Sequence, residues 1–215
     1  MSDSGDTAVV YERAVSPQGP GDEALPQLDE ETRERRRAAL ANVRTFGDPV
    51  LKSRASEVEG FGPELRREAE RMIAIMHDAL GVGLAATQLG IMRRLLVFQA
   101  SPEATPNAIV NPELEWLSED LAVAEEGCLS LPGISVGVER PVYARVRGLD
   151  VHGKPLLVEA SGLEARVLQH EIDHLDGVLI LDRTEREQRK AALRALREGE
   201  AYSPHTEDAE GAEER

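Results

Sequence analysis

His170 and His174 stand four residues apart with Glu171 between them, in the stretch LQHEIDHLDG from Leu168 to Gly177. Four residues are about one turn of an α-helix, so on a helix both imidazoles leave one face and can reach a single metal ion. In this H-E-x-x-H arrangement the histidines bind the metal and the glutamate stays free to move protons for the water that the metal activates. Two ligands are too few. A catalytic zinc-type site takes three protein ligands and keeps one position open, so a third has to come from elsewhere in the chain.

Cys128, the only cysteine among 215 residues, lies in EEGCLSLPG. It has no partner for an intramolecular disulfide, which points to a reducing compartment and to service as a thiol or thiolate. A thiolate suits a zinc-type ion, and the adjacent Gly127 lets the backbone pass close to it, leaving the N–H groups that follow to face a substrate oxygen. A third stretch, GVGLAATQLG from Gly81 to Gly90, is glycine-rich, yet it lacks the third glycine of a dinucleotide fingerprint and the Gly-Lys-Ser/Thr of a P-loop. It follows a helical pattern rather than a strand. Ala85 and Ala86 suggest close packing, and Gln88 offers an amide suited to a carbonyl oxygen.

Taken in order, G-x-G-x-A-A-x-Q at Gly81 to Gln88, E-G-C-L-S at Glu126 to Ser130 and H-E-x-D-H at His170 to His174 resemble the signature of the peptide deformylases. The resemblance spans Thr45 to Leu181 and leaves out both ends. It implies an α+β enzyme, with short antiparallel strands packed around a central metal-binding helix, that removes the formyl group from the N-terminal formyl-methionine of newly made polypeptides. It further implies that Cys128, His170 and His174 bind one divalent metal, Fe²⁺ natively with Zn²⁺ or Ni²⁺ as replacements. Glu171 would be general base and acid, and the Gln88 amide with the Leu129 N–H would form the oxyanion hole. Gly83 would offer its backbone to the substrate, and Val82, Leu163 and Val167 would line the methionine pocket. Arg140 is expected near the substrate-binding edge, with Glu126 in a supporting role. The nearest alternative is an H-E-x-x-H peptidase cutting internal bonds, but such enzymes usually take their third ligand downstream, and Cys128 lies 42 residues before His170. A non-catalytic metal-binding protein is the other alternative; the presence of both Glu171 and Gln88 speaks against it.

The elements that must position these residues follow from periodicity. Acids precede arginines from Asp29 to about Val43, the order a helix dipole favours. Gly62-Pro63 opens a second helix with Leu65, Ala69, Met72, Ile73, Met76 and Leu80 on one face and Gly81 as its stop. Short β-type runs follow at 95–99, 108–111, 122–125, 134–138, 142–147 and 156–159. Helix returns at about Leu163, and a last helix follows Leu181. Helix, several short strands, then helix reads as α+β. His77 and His152 read as surface residues. The expected organisation is a disordered acidic extension over 1–28, a catalytic domain over 29–182, a basic helix over 183–198 and a disordered acidic tail over 199–215.

The net charge of −15 sits mainly at the ends. Residues 1–30 and 198–215 each carry seven acids and one arginine, leaving −3 for the 167 residues between. This argues against a nucleic-acid groove, and DNA is not expected as a partner. No apolar run approaches the roughly 20 residues of a membrane span, and no signal peptide is evident, so a cytoplasmic enzyme is expected. Between Arg183 and Arg197 six basic residues stand against Glu185 and Glu187, a local +4 that reads either as a solvated helix face or as a ribosome contact.

Overall fold

The computed structural model describes residues 28–204; the extension over 1–27 and the tail over 205–215 lie outside the described residues. Asp29 caps helix α1 (Glu30–Leu40) by accepting a hydrogen bond from the Thr32 N–H at 2.7 Å. Helix α2 (Pro63–Asp78) begins with proline at its first position and buries Leu65, Ala69, Met72, Ile75 and Met76. Ile75 thus takes the buried place, and Ile73 packs only partly covered against the same cluster. The helix stops before Gly81. Leu80 adopts φ +60, its N–H donating to the His77 carbonyl and the Gly81 N–H to the Met76 carbonyl, so the left-handed position of this C-cap holds leucine.

Seven strands follow. They are β1 (Gly83–Ala85), β2 (Leu95–Phe98), β3 (Asn107–Leu117), β4 (Leu121–Gly127), β5 (Ser135–Pro141), β6 (Tyr143–Leu149) and β7 (Pro155–Ser161). An antiparallel sheet runs β1-β2-β3-β6-β7, and β4 and β5 pair separately. Strand β1 is absent from the sequence reading because three fully buried residues carry no alternation. Strand β3 extends well past Asn111. Its register shifts between Val110 and Glu113 and again between Leu114 and Trp116, and such irregularities erase the two-residue period that would mark it.

Helix α3 (Gly162–Leu175) carries the histidines, and every residue from Ala165 to Leu175 is buried. Leu168, Ile172 and Leu175 pack with Leu96, Ile109 and Val146 of the large sheet; each fully buried leucine contributes roughly 1.5–3 kcal/mol. The polar residues of α3 turn towards the β4–β5 pair. Beyond it come α4 (Ile180–Arg183) and α5 (Arg186–Glu198). The basic helix is no appendage: Ala192 and Ala195 share a core cluster with Cys128, Leu131, Ile134, Val136 and Val138. The tail expected from Gly199 is structured as far as residue 204, with the Tyr202 N–H donating to the Gly133 carbonyl and the Ser135 N–H to the Tyr202 carbonyl.

Candidate active site

Three donor atoms converge below the N-terminal strand of the large sheet. Cys128 Sγ lies 3.1 Å from His174 Nε2, which lies 3.1 Å from His170 Nε2, and all three ligand atoms fall within 4.8 Å of one another. Ligands of one tetrahedral ion at bonds of about 2.0–2.3 Å stand about 3.3–3.6 Å apart, so the Cys128–His174 and His170–His174 spacings are within a few tenths of an ångström of that geometry. The donor chemistry fits too. His170 Nδ1 donates to Glu126 Oε2 at 3.0 Å, so that the neutral ring would turn the lone pair of Nε2 towards the cluster. Burial works against charge on both rings. Hydrogen bonds with Cys128 and Glu126 nonetheless raise His170 well above its ordinary range, while His174, beside His170 and Arg140, falls well below. A cation held by the three atoms would take the place of a shared proton. These residues therefore fit a divalent metal.

Glu171 sits on the same helix, 2% exposed. Burial pushes its carboxyl up to about 7, with His170 pulling the other way. Among the described residues its Oε2 has no hydrogen-bond partner. Its other side presses on Gly83, where a Cβ would stand 2.9 Å from both Cγ and Cδ of Glu171 and closer still to Oε1. A side chain at 83 would therefore displace the carboxylate, a reason for glycine invisible in the sequence.

Gln88 is oriented from both ends. Its Oε1 accepts from the Ala85 N–H at 2.9 Å, which fixes the amide so that Nε2 faces Ser130 Oγ at 3.3 Å and Cys128 Sγ at 3.7 Å. Its neighbour Thr87 donates to the His174 carbonyl at 3.0 Å, tying this turn to α3. Leu129 directly follows the thiol and is 6% exposed. Val82 and Leu163 are partly buried against the cluster that contains the fully buried Val167.

Arg140, expected near the substrate-binding edge, lies in a buried ionic cluster. It is 4% exposed, holding both oxygens of Glu126 at 2.6 and 3.0 Å and Asp173 at 2.9 Å. The signal was present: β5 buries Val136, Val138 and Arg140 in alternation, so the period of two already turned Arg140 inward. The sequence reading also missed Arg166, which reaches Glu126 at 2.7 Å, and Arg183, which pairs with Asp173. Arg166 precedes His170 by four residues and Asp173 follows it by three, spacings that share one helical face. Burial would raise Glu126, but His170 and Arg140 hold its carboxyl well below the usual carboxylate range. The result is an ionised, fully engaged carboxylate behind His170. A concavity of about 500 Å³ around Glu57, Asn111, Arg147 and Leu157 shares no residue with this cluster; the chemistry of the side chains selects the site.

The sequence profile of the polypeptide deformylases matches residues 40–190. The chain belongs to that family. The peptide deformylase of Acidothermus cellulolyticus is 47% identical over 162 residues, covering 75% of this chain and 88% of its own. The crystal structure of the Thermotoga maritima peptide deformylase is similar at a TM-score of 0.64 and 45% identity, covering 66% of this chain and 96% of that one. For the Synechococcus elongatus deformylase in complex with actinonin the values are 0.68, 41%, 74% and 86%. Deformylases are metal-dependent hydrolases that remove the N-formyl group from nascent peptides, and that is the reaction of this chain. Among the described residues no helix is long and apolar enough to cross a membrane.

Proposed function

We propose that deformylation here runs on Fe²⁺ held by Cys128, His170 and His174, in the cytoplasm, on chains that begin with formyl-methionine. The observation that carries the assignment of roles is the placement of a buried carboxyl, Glu171, beside three convergent ligand atoms and the Gln88 amide. The ion, when bound, activates water and polarises the formyl carbonyl. Glu171 accepts a proton at Oε2 as water attacks the formyl carbon, and returns it to the departing amine as the C–N bond breaks. A carboxyl raised towards neutrality suits both halves of that transfer. The Gln88 Nε2–H and the Leu129 N–H donate to the negative charge that grows on the formyl oxygen; one such donor is typically worth about 10² to 10³ in rate. The edge position of β1 leaves one side of Gly83 for an extended peptide, and Val82, Leu163 and Val167 give the methionine side chain an apolar surface. Thiolate ligation of ferrous iron makes the enzyme sensitive to oxygen.

Helix α5 is the part we assign to ribosome contact. Its Arg186, Arg189, Lys190, Arg194 and Arg197 are exposed, although Arg189, Lys190 and Arg194 are paired with Asp182, Glu187 and Glu198. Pelleting with ribosomes that is lost on raising salt supports this contact, and absent or salt-independent pelleting removes it.

The deciding experiment is formate release from a formyl-Met-Ala-Ser peptide by anaerobically prepared, iron-loaded protein, with Glu171→Ala as control. Turnover confined to the native residue supports the assignment. Equal turnover in the variant ends the role given to Glu171, and cleavage of an internal unformylated peptide bond would point to the peptidase alternative.

A further inference from the structure

One stretch of backbone outside the catalytic motifs reaches all three of them. The Arg44 N–H donates to the Gln88 carbonyl at 2.7 Å, the Phe46 N–H to the Ser130 carbonyl at 2.8 Å and the Ala55 N–H to the Leu175 carbonyl at 2.8 Å. No step of the reaction uses this stretch. Its ends are anchored by Val43 in the core around α2 and by Leu51, 1% exposed. Between them the Asp48 N–H closes a turn on the Thr45 carbonyl at 3.1 Å, with Gly47 at φ +103, the sign a type II turn requires at its second central residue. The Arg44 side chain lies across Gly90, where a Cβ would stand 2.9 Å from Nε, and pairs with Asp48 at 3.8 Å.

The consequence is a matter of length. Arg44 and Phe46 are two residues apart, and two residues of chain span at most about 7 Å. The Gln88 and Ser130 carbonyls therefore hang from one short strap. Gln88 supplies one proposed oxyanion donor through its amide, and Ser130 is the next residue after Leu129, which supplies the other. The two segments come from positions some 40 residues apart and also meet through the Gln88 amide, which faces Ser130 Oγ at 3.3 Å and Cys128 Sγ at 3.7 Å.

We propose that the Arg44–Gly47 strap is a positioning element for deformylation: its backbone sets the separation of the Gln88 amide from the Leu129 N–H, and so how well the two donors meet the formyl oxygen in the transition state. The proposal rests on the oxyanion roles given above, and donors of this kind act only where the developing charge will be.

Two changes perturb the strap without touching the site. Phe46→Pro removes the N–H that holds Ser130, while proline is favoured at the first central position of this turn and the Phe46 side chain is 43% exposed. Gly47→Ala adds a Cβ into open space, so its effect comes through φ alone. Both are assayed in the full chain for kcat and KM with the formyl-Met peptide, and the visible absorption of cobalt-loaded protein counts intact Cys-His-His sites. Phe46→Pro is expected to lower kcat per cobalt site about tenfold, with KM within about twofold and the cobalt spectrum unchanged, because an ångström of misplacement costs up to about 10²-fold. Gly47→Ala moves in the same direction and decides the matter if Phe46→Pro does not fold. In a Gln88→Ala background Phe46→Pro should change kcat less than about twofold, since no pair of donors is left to be spaced. Native kcat in the strap variants, an undiminished effect in the Gln88→Ala background, or an altered cobalt spectrum would each overturn the proposal. Native kcat in Gln88→Ala alone would instead remove the oxyanion role on which it rests.

Discussion

Gly83→Ala adds one methyl group, and the structure says what it meets. The new Cβ would stand 2.9 Å from Glu171 Cγ and Cδ, about 0.5 Å short of the 3.4 Å at which ordinary contact begins, and nearer still to Oε1. Gly83 is not among the glycines with positive φ, so alanine does not strain the backbone and β1 keeps its pairing with β2. The load falls on Glu171. Its helix is buried on all sides, so the side chain, and not the helix, retreats. A shift of half an ångström to one ångström in a catalytic group costs on the order of 10²-fold in rate, equivalent to about 2.7 kcal/mol of transition-state stabilisation. Formate release is therefore expected to fall about 10²-fold in kcat, with KM within about twofold because the backbone offered to the peptide is unchanged. Metal content per chain, measured by elemental analysis, should stay at the native level. A Gly83→Ala enzyme with native kcat would refute the reasoning, and so would one whose lost activity merely tracks lost metal.

Other perturbations test the layers around the carboxylate. Glu126→Ala strips acceptors from His170, Arg140 and Arg166 at once; breaking a buried pair costs about 3–5 kcal/mol, or roughly 6–20 °C in Tm for a chain of this size, and an unchanged melting curve would contradict it. The same variant should bind metal about 10–100-fold more weakly, because the tautomer of His170 is no longer fixed; competition against a chelator measures this. Cys128→Ser should bind the metal poorly, since a hydroxyl keeps its proton where a thiol gives it up on coordination; stoichiometric metal after gel filtration would exclude the thiolate ligand. Asp182 supplies a pH test away from the metal. Burial would raise its carboxyl, but the bonds from Lys52 and the Leu179 N–H hold it below its ordinary 3.8. Its contribution is therefore present above pH 3.8 and lost as pH falls through the lower folded value. Asp182→Asn should melt about 2–4 °C below the native protein at pH 7, the worth of up to about 1 kcal/mol for a partly exposed pair, and the two melting temperatures should converge in acid. A gap that persists at low pH would rule out this account.

Local spacing settled the parts of the site that lie within one helical turn. His170, Glu171 and His174 needed only the 3.6-residue period and a helix to carry it, and the same period places Arg166 and Asp173 beside His170. Alternation along β5 likewise turned Arg140 inward with Val136 and Val138. The α+β architecture was legible from the order of periodic segments, apart from β1, too short to show a period, and β3, whose bulges broke it. Composition also identified Cys128 as the one thiol able to complete the ligand set. Only the tertiary structure decided how segments distant in the chain meet: that Glu126 on β4 receives Arg140, Arg166 and His170 together, that Gly83 is glycine because Glu171 leans on it, and that Arg44 and Phe46 tie Gln88 to Ser130. The physical reason is that periodicity reports which face a side chain takes on its own element, whereas a contact between elements depends on register, packing and loop closure over many residues.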